Sequence, residues 1–207
     1  MESAERLYAE QGVDATSLRG ITQEAGTNLA AVHYHFGSKQ ALTDAVYSRR
    51  ILPINRDRLC RLDGLEEARA SPPTVESIVK AFILPALEAS RADRQGGGKF
   101  IRLMGRIYTE PGGELGDLLA AQFQEILRRF TAALSRTLPH LPAAELTWRF
   151  HFMVGAMVHT IADPAKIHRL SGGLCDPDDV DEVGRRLATF IAAGLAAPLT
   201  QEVPESP

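Results

Sequence analysis

Residues 17–39 read SLRGITQEAGTNLAAVHYHFGSK, and this stretch decides the fold that the sequence predicts. Two short runs of helix-forming residues flank AGTN, in which Gly26 can end the first helix because glycine readily adopts a positive φ. Thr16 or Ser17 can cap the first helix and Asn28 the second. Two short helices joined by a tight turn are typical of a helix-turn-helix, whose second helix enters the major groove of DNA.

The second of these helices, predicted to run through Phe36, has two different faces. At about 100° per residue, Leu29, Val32 and Phe36 fall on one side and form an inward, apolar stripe. The opposite side and its rim carry Ala30, Ala31, Tyr34 and His33. Alanines let a helix backbone approach DNA closely, and aromatic rings can contact thymine methyl groups, bases or phosphates. A helix whose exposed face is Ala-Ala-Tyr by chance is the alternative interpretation.

Lys39 follows Ser38 at the predicted start of a longer helix. A positive charge there opposes the helix macrodipole at a cost of about 0.3–1 kcal/mol. The position is favourable if the partner is an anion, because backbone amides, dipole and ammonium can all point at one phosphate. Arg19 lies on the outer side of the first short helix, before AGTN, and is a second cation placed for phosphate or guanine. An exposed lysine without a ligand is the alternative for Lys39.

Residues 4–47 resemble the N-terminal domain of the tetracycline-repressor (TetR) family, through AERLYAEQGVDATSLRGITQEAGTNLAAVHYHFGSKQAL. The G-x-x-x-T/S start, the AG turn and the aromatic-x-F-GSK-x-x-L ending occur together at the family's spacing. The resemblance implies an all-α, dimeric transcription factor with a three-helix helix-turn-helix domain and a larger helical domain that binds a ligand and dimerises. Carried over residue by residue, it implies DNA contacts at Thr16, Ser17, Arg19, Thr27, Asn28, Ala30, Ala31, His33, Tyr34 and Lys39. The sequence departs from the family at His33, where tyrosine is usual, and at Leu29, where a polar residue is common, so the operator sequence does not carry over.

The rest of the chain also predicts helices, with ASPPT at 70–74 as a linker. We therefore expect a helix-turn-helix domain at 1–47, a connecting helix and linker at 48–73, an effector-binding and dimerisation domain at 74–198, and a tail at 199–207. The later helices are predicted at 75–90, 96–111, 113–138, 143–163 and 178–197. Pro85 should kink or end the first of these.

The last two predicted helices indicate a dimer interface. One carries Trp148, Phe152, Gly155, Ala156 and His159 at near-helical spacing, and the other carries Val183, Leu187, Phe190, Ile191 and Leu195. Two such helices from each subunit would form a symmetric four-helix interface. Packing within one subunit is the alternative.

A ligand pocket among the middle helices is what the family resemblance implies. The candidate lining residues are Phe100, Met104, Ile107, Phe123, Leu127, Phe152 and Met153. They are apolar and include adaptable methionines, which favours a small hydrophobic effector, although each residue alone also fits ordinary core. The C-terminal layout is somewhat similar to fatty-acid-responsive members of the family.

Composition and motifs narrow the function further. The net charge is -3, so any nucleic-acid site must be a local face of the protein. The two cysteines are far apart, the N-terminus does not resemble a signal peptide, and no apolar run is long enough to span a membrane. These features predict a cytoplasmic protein without a membrane partner. His159 and Asp163 have i,i+4 spacing, but no compact metal-ligand set, cofactor motif or catalytic constellation is evident. We expect a repressor that binds a palindromic operator as a homodimer and is released by a small hydrophobic effector. The alternatives are a small-molecule-binding or enzymatic helical protein with a vestigial helix-turn-helix, and an activator or partner-dependent regulator.

Overall fold

The computed structural model describes residues 1–68, 72–95, 103, 117–162 and 164–199. Those ranges form helices α1 (Glu2–Gln11), α2 (Leu18–Glu24), α3 (Leu29–Phe36), α4 (Lys39–Glu67), α5 (Val75–Gln95), α6 (Asp117–Thr137), α7 (Ala143–Ala162), α8 (Pro164–Leu170) and α9 (Val180–Ala196). Within them the structure has no β-strand. The predicted all-α fold is therefore confirmed.

Side-chain caps begin α2, α3 and α4. The side-chain oxygens of Ser17, Asn28 and Ser38 each accept a hydrogen bond from the backbone N–H three residues later, at 3.1, 2.8 and 3.0 Å. Such a cap supplies an acceptor for one of the N–H groups that a helix start leaves unpaired. The boundaries in this part of the chain therefore follow from local residue types.

Two hydrophobic cores share helix α4. The smaller core packs α1, α2 and α3 against the first half of α4, as far as Ile51, and also takes in Leu103. The larger core begins on α4 at Ile54 and continues through α5, α6, α7 and α9. Pro53 lies between them and has no N–H to donate along the helix. The change of core therefore falls slightly beyond the predicted domain boundary at residue 47.

Pro85 does not end α5, which continues to Gln95. Buried Ile83, Ala86 and Leu87 hold both sides of the proline against the core, and this packing offsets the about 3 kcal/mol that an internal proline costs. Helix α8 was missed by the sequence reasoning, although Pro164 suits the first position of a helix. The helix predicted at 96–111 lies outside the described residues, apart from buried Leu103.

Two contacts fix α9 within the larger domain. A Cβ at Gly184 would come within 2.5 Å of Leu84 Cδ2 on α5, so the absent side chain permits a close approach of the two helices. At the other end, the buried guanidinium of Arg149 on α7 donates through Nη1 to the Leu195 and Ala197 carbonyls, at 2.8 and 2.5 Å. These carbonyls end α9, so Arg149 supplies donors that the helix itself lacks.

Candidate nucleic-acid interface

The N-terminal helices bring most of the predicted DNA-contact residues to the surface. The side chains that are exposed are those of Ser17, Arg19, Thr27, Asn28, Ala30, His33 and Tyr34, while Ala31 and Lys39 are half-buried. Tyr34 has the most exposed large ring of the set, at 86%. On the opposite side of α3, Val32 is buried and Phe36 packs against the core, as predicted. Leu29 is half-buried.

Thr16 corrects the predicted set of contacts. Its side chain is 2% exposed, and its hydroxyl donates to the Gly12 carbonyl at 2.6 Å. Thr16 therefore holds the loop between α1 and α2 and does not present its hydroxyl on the exposed face. Ser17, the next residue, remains exposed. Because its oxygen accepts from the Gly20 N–H, its own O–H is left to donate to an outside group.

Lys39 has a partner inside the protein, which the sequence reasoning missed. Its Nζ donates to the Asp14 carbonyl at 3.4 Å, joining the start of α4 to the loop before α2. An ammonium has three N–H donors, so this bond leaves two for an external anion. Lys39 thus lies where the α1–α2 loop meets the capped N-terminus of α4.

The rings around Tyr34 are partly oriented by contacts within α3. Nδ1 of His33 lies 3.1 Å from the Gly37 carbonyl oxygen, so the tautomer protonated there donates to it and leaves Nε2 for another partner. His35 is exposed and meets the Tyr34 ring edge-on, with ring centres 5.2 Å apart. His33 therefore closes the C-terminal end of α3 as well as bordering its exposed face.

Acidic side chains near this face are neutralised by Arg6. Its Nε donates to Glu24 at the end of α2 at 2.8 Å, and its Nη1 donates to Glu10, also at 2.8 Å. These hydrogen bonds, Glu24 first, raise the pKa of Arg6 above its ordinary value. By contrast, Arg19 has no ion pair within the described part of the chain. The exposed side of α2 therefore offers an unpaired cation beside neutralised acids.

The described members of the predicted effector set lie in different surroundings. Phe123 packs against the smaller core, Met153 is buried in the larger one, and Leu127 is partly exposed. Phe152 is 62% exposed and stacks on Trp148 with ring centres 5.9 Å apart, so its place is on the surface. This surface position does not fit the predicted pocket. The spacing of apolar residues on a helix that is apolar nearly all round does not show which side faces the core. Phe100, Met104 and Ile107 lie outside the described residues.

The predicted dimer residues divide between core and surface. Ile191 and Leu195 are buried within the subunit, and Val183 and Leu187 pack at its margin. Trp148 and Phe152 of α7 and Phe190 of α9 remain exposed, at 60, 62 and 70%. We call these three residues the aromatic stripe. Large apolar side chains left in solvent, two of them stacked on each other, can mark a protein interface.

Metal-binding clusters and membrane-spanning helices are both absent from the described residues. No three His, Cys, Asp or Glu side chains in these ranges come together in a way that could hold a metal ion, and Asp163 lies outside them. Nor does any of the described helices have the length and apolar character needed to cross a membrane.

The chain matches two family models. Residues 1–46 match that of the bacterial regulatory proteins of the tetR family, and residues 80–194 match that of the tetracyclin repressor-like C-terminal domain. The sequence is 36% identical over 70 residues to the nicotine-responsive transcriptional repressor HdnoR of Paenarthrobacter nicotinovorans. That match covers 34% of this chain and only 36% of the relative.

Solved structures share the fold. FadR of Bacillus subtilis, in complex with stearoyl-CoA, is similar with a TM-score of 0.61 and 11% identity over 93% of this chain and 96% of its own. PfmR of Thermus thermophilus is similar with a TM-score of 0.57 and 18% identity over 94% of this chain and 97% of its own. At such low identities the likeness extends to the fold alone.

Proposed function

The chain belongs to the TetR family of transcriptional regulators, and from this premise we propose that it binds a palindromic operator as a homodimer and leaves it when a small effector binds the C-terminal domain. The 36% identity to a named repressor over 70 residues favours repression over activation.

The exposed face of α3 carries this proposal. Tyr34 stands almost fully in solvent, while Val32 on the opposite side is buried and fixes the orientation of the helix. Ala30 and Ala31 flank the ring with small side chains, so the α3 backbone can approach base edges. A large ring held outward on a short, capped helix is suited to a groove and contributes nothing to the core.

Phosphate contacts would come from the helix starts on either side. Ser17 and Ser38 cap α2 and α4, and the remaining N–H groups of those first turns are typical anion donors. Arg19 and Lys39 add positive charge at the same two places. Contacts of this kind fix the register of a protein on DNA, whereas base contacts from α3 would select the sequence.

Dimerisation is supported by the aromatic stripe. A two-fold axis would place the stripes of two subunits face to face and set two copies of α3 against successive major grooves. Half-sites in such operators are about 34–36 Å apart, so the dimer must hold its recognition helices at that spacing.

We attribute release of the protein from its operator to a movement of α4. This helix runs from Lys39 to Glu67 and belongs to both cores, so a ligand that moves its second half also moves the DNA-binding domain. The apolar residues predicted for the pocket favour an effector with apolar parts. Unchanged operator affinity of a ligand-saturated protein would contradict this step.

Fluorescence anisotropy with duplexes from the protein's own promoter region tests the proposal. We expect Tyr34→Ala to weaken binding to the selected duplex by about 1–3 kcal/mol, and Lys39→Ala to lower the dependence of log K on log salt by about one. Lys80→Ala is the matched control, because Lys80 lies on α5 and pairs with Glu76. If the protein selects no duplex, the result supports the alternative of a helical small-molecule-binding protein. Reporter expression in a deletion strain separates repressor from activator.

A further inference from the structure

Glu24 is the single acidic residue between Thr16 and Lys39, the segment that contains every predicted DNA contact. It is the last residue of α2 and lies three residues before Thr27. A negative charge at the C-terminal end of a helix opposes the macrodipole, and a negative charge beside a DNA-binding surface repels phosphate. The carboxylate therefore lies where neither the helix nor the proposed partner favours it.

The turn that follows Glu24 has a fixed shape. The Thr27 N–H donates to the Thr22 carbonyl at 3.0 Å, and the Gly26 N–H donates to the Gln23 carbonyl at 3.3 Å. This pair of hydrogen bonds, with Gly26 at a φ of 62°, is the Schellman motif that ends many helices. Because the turn is short and closed, Glu24 stays within about one helical turn of Thr27. A free Glu24 carboxylate would therefore lie near any phosphate bound by Thr27.

Arg6 of α1 binds this carboxylate across the domain. Its Nε donates to Glu24 Oε1 at 2.8 Å, and its Nη2 pairs with Glu24 Oε2, so the guanidinium engages both oxygens side-on. The side chain of Glu24 is 25% exposed, although the residue ends a helix at the surface. Arginine is suited to this contact because its planar fork of donors matches the two oxygens of a carboxylate.

Glu10, one turn further along α1, orients the guanidinium. Nη1 of Arg6 donates to the two Glu10 oxygens at 3.1 and 2.8 Å. The position of Arg6 is therefore set within α1, a helix that carries none of the predicted DNA contacts. The Glu24 carboxylate is thus held on the side of α2 that faces α1.

We propose that Arg6 is a positioning residue for operator binding, which holds the Glu24 carboxylate against α1 and away from the phosphates near the α2–α3 turn. The inference rests on the proposed function and adds to it a residue outside α2 and α3. Arg6 acts through Glu24 and does not need to touch DNA. Because the effect is electrostatic and carries no sequence information, it should be the same for an operator and a random duplex.

Fluorescence anisotropy with the selected operator and a random duplex tests this role in the full-length protein. Arg6→Gln frees the Glu24 carboxylate, so we expect about a three- to tenfold loss of affinity for both duplexes at about 50 mM salt. The loss of operator affinity should shrink at about 200 mM salt, which screens exposed charges. Arg128→Gln is the matched control, because it breaks an exposed arginine–glutamate pair on α6 and should leave both affinities unchanged.

Removing the carboxylate separates this role from a purely structural one. Glu24→Gln should bind the operator within about twofold of the wild type, and the double variant Arg6→Gln/Glu24→Gln should recover the affinity of Glu24→Gln. A link that serves only to pack α1 on α2 predicts instead that Glu24→Gln and the double variant both bind weakly. Glu24→Gln keeps the test decisive if Arg6→Gln folds poorly, because weak operator binding by Glu24→Gln overturns the inference.

The inference is also overturned if Arg6→Gln binds both duplexes like the wild type, or if the double variant stays as weak as Arg6→Gln. Failure of the wild type to select any duplex counts against the proposed function. Selective binding by the wild type that Arg6→Gln leaves unchanged counts against the inference alone.

Discussion

Arg50 of α4 donates through Nε to Glu5 Oε1 of α1 at 2.8 Å, and Glu5 is only 3% exposed. The neighbouring Arg49 makes a looser contact, 3.6 Å long, with the exposed carboxylate of Glu2. Two successive arginines thus join the same pair of helices in very different surroundings. Arg50 holds the first helix to α4 shortly before Pro53.

Replacing Arg50 by methionine should leave the buried carboxylate of Glu5 without its cation. Losing one partner of a fully buried pair costs about 3–5 kcal/mol; because the Arg50 side chain is partly exposed, we expect about 1–3 kcal/mol. Arg49→Met, the matched control, should cost at most about 0.5 kcal/mol. Urea denaturation measures both. Equal losses would contradict a special role for the Glu5–Arg50 pair.

Stability at alkaline pH should depend on Tyr8. Burial raises the pKa of its phenol, and the hydrogen bond with Thr43, Oγ1 to Oη at 3.1 Å, offsets part of that rise. The folded state therefore keeps this proton at a pH where the unfolded state loses it, so the free energy of unfolding falls as pH rises past about 10. Tyr8→Phe should make that fall shallower in denaturation curves taken between about pH 9 and 11. Tyr34→Phe, which changes an exposed ring, should retain the wild-type slope.

The aromatic stripe predicts the effect of a charge on dimerisation. Phe152→Arg would bury a cation between two apolar faces and should raise the dimer dissociation constant by about 100-fold or more. Analytical ultracentrifugation gives the constant. Leu170→Arg is the control, because Leu170 is 75% exposed on α8 and outside the stripe. Comparable dissociation of the two variants would place the interface elsewhere.

Arg149 should be essential to the larger domain. Besides its bonds to the carbonyls at the end of α9, its Nε donates to Glu145 at 2.7 Å, and the side chain is 8% exposed. Arg149→Met would leave several of these acceptors unpaired, and we expect a loss of about 2–4 kcal/mol in unfolding free energy. Arg128→Met removes an exposed ion pair with Glu125 and should leave the unfolding free energy almost unchanged. Thermal unfolding of the two variants compares them directly.

Local chemistry made much of the fold predictable. The caps at Asn28 and Ser38 follow from a polar residue placed before an apolar run, and the outward position of Tyr34 follows from helical periodicity. Thr16 donates to the Gly12 carbonyl within its own loop, whereas Lys39 donates to the Asp14 carbonyl 25 residues away, which no spacing rule reveals. The second contact depends on how α4 packs against the loop that follows α1.

Other features depend on tertiary context in the same way. A helix that is apolar nearly all round, such as α7, does not show from its sequence that Met153 faces in and Phe152 faces out. Asn55 drew no attention in the sequence because a single asparagine in a charged helix is ordinary. Its burial becomes visible only when α4 is placed against α5 and α7.

Gly184 bears on which helices can move when a ligand binds. With no side chain between it and Leu84, α9 approaches α5 closely, and the Leu84 side chain packs against the backbone at Gly184. If α9 lies at the subunit boundary, α5 stays fixed with it as part of a stationary frame. Helix α4 packs on that frame through Ile54 and Leu62 of the larger core, and its Arg61 donates to Glu88 at 2.7 Å. The distance between the two copies of α3 would then be set by the tilt of α4 against a frame that does not change.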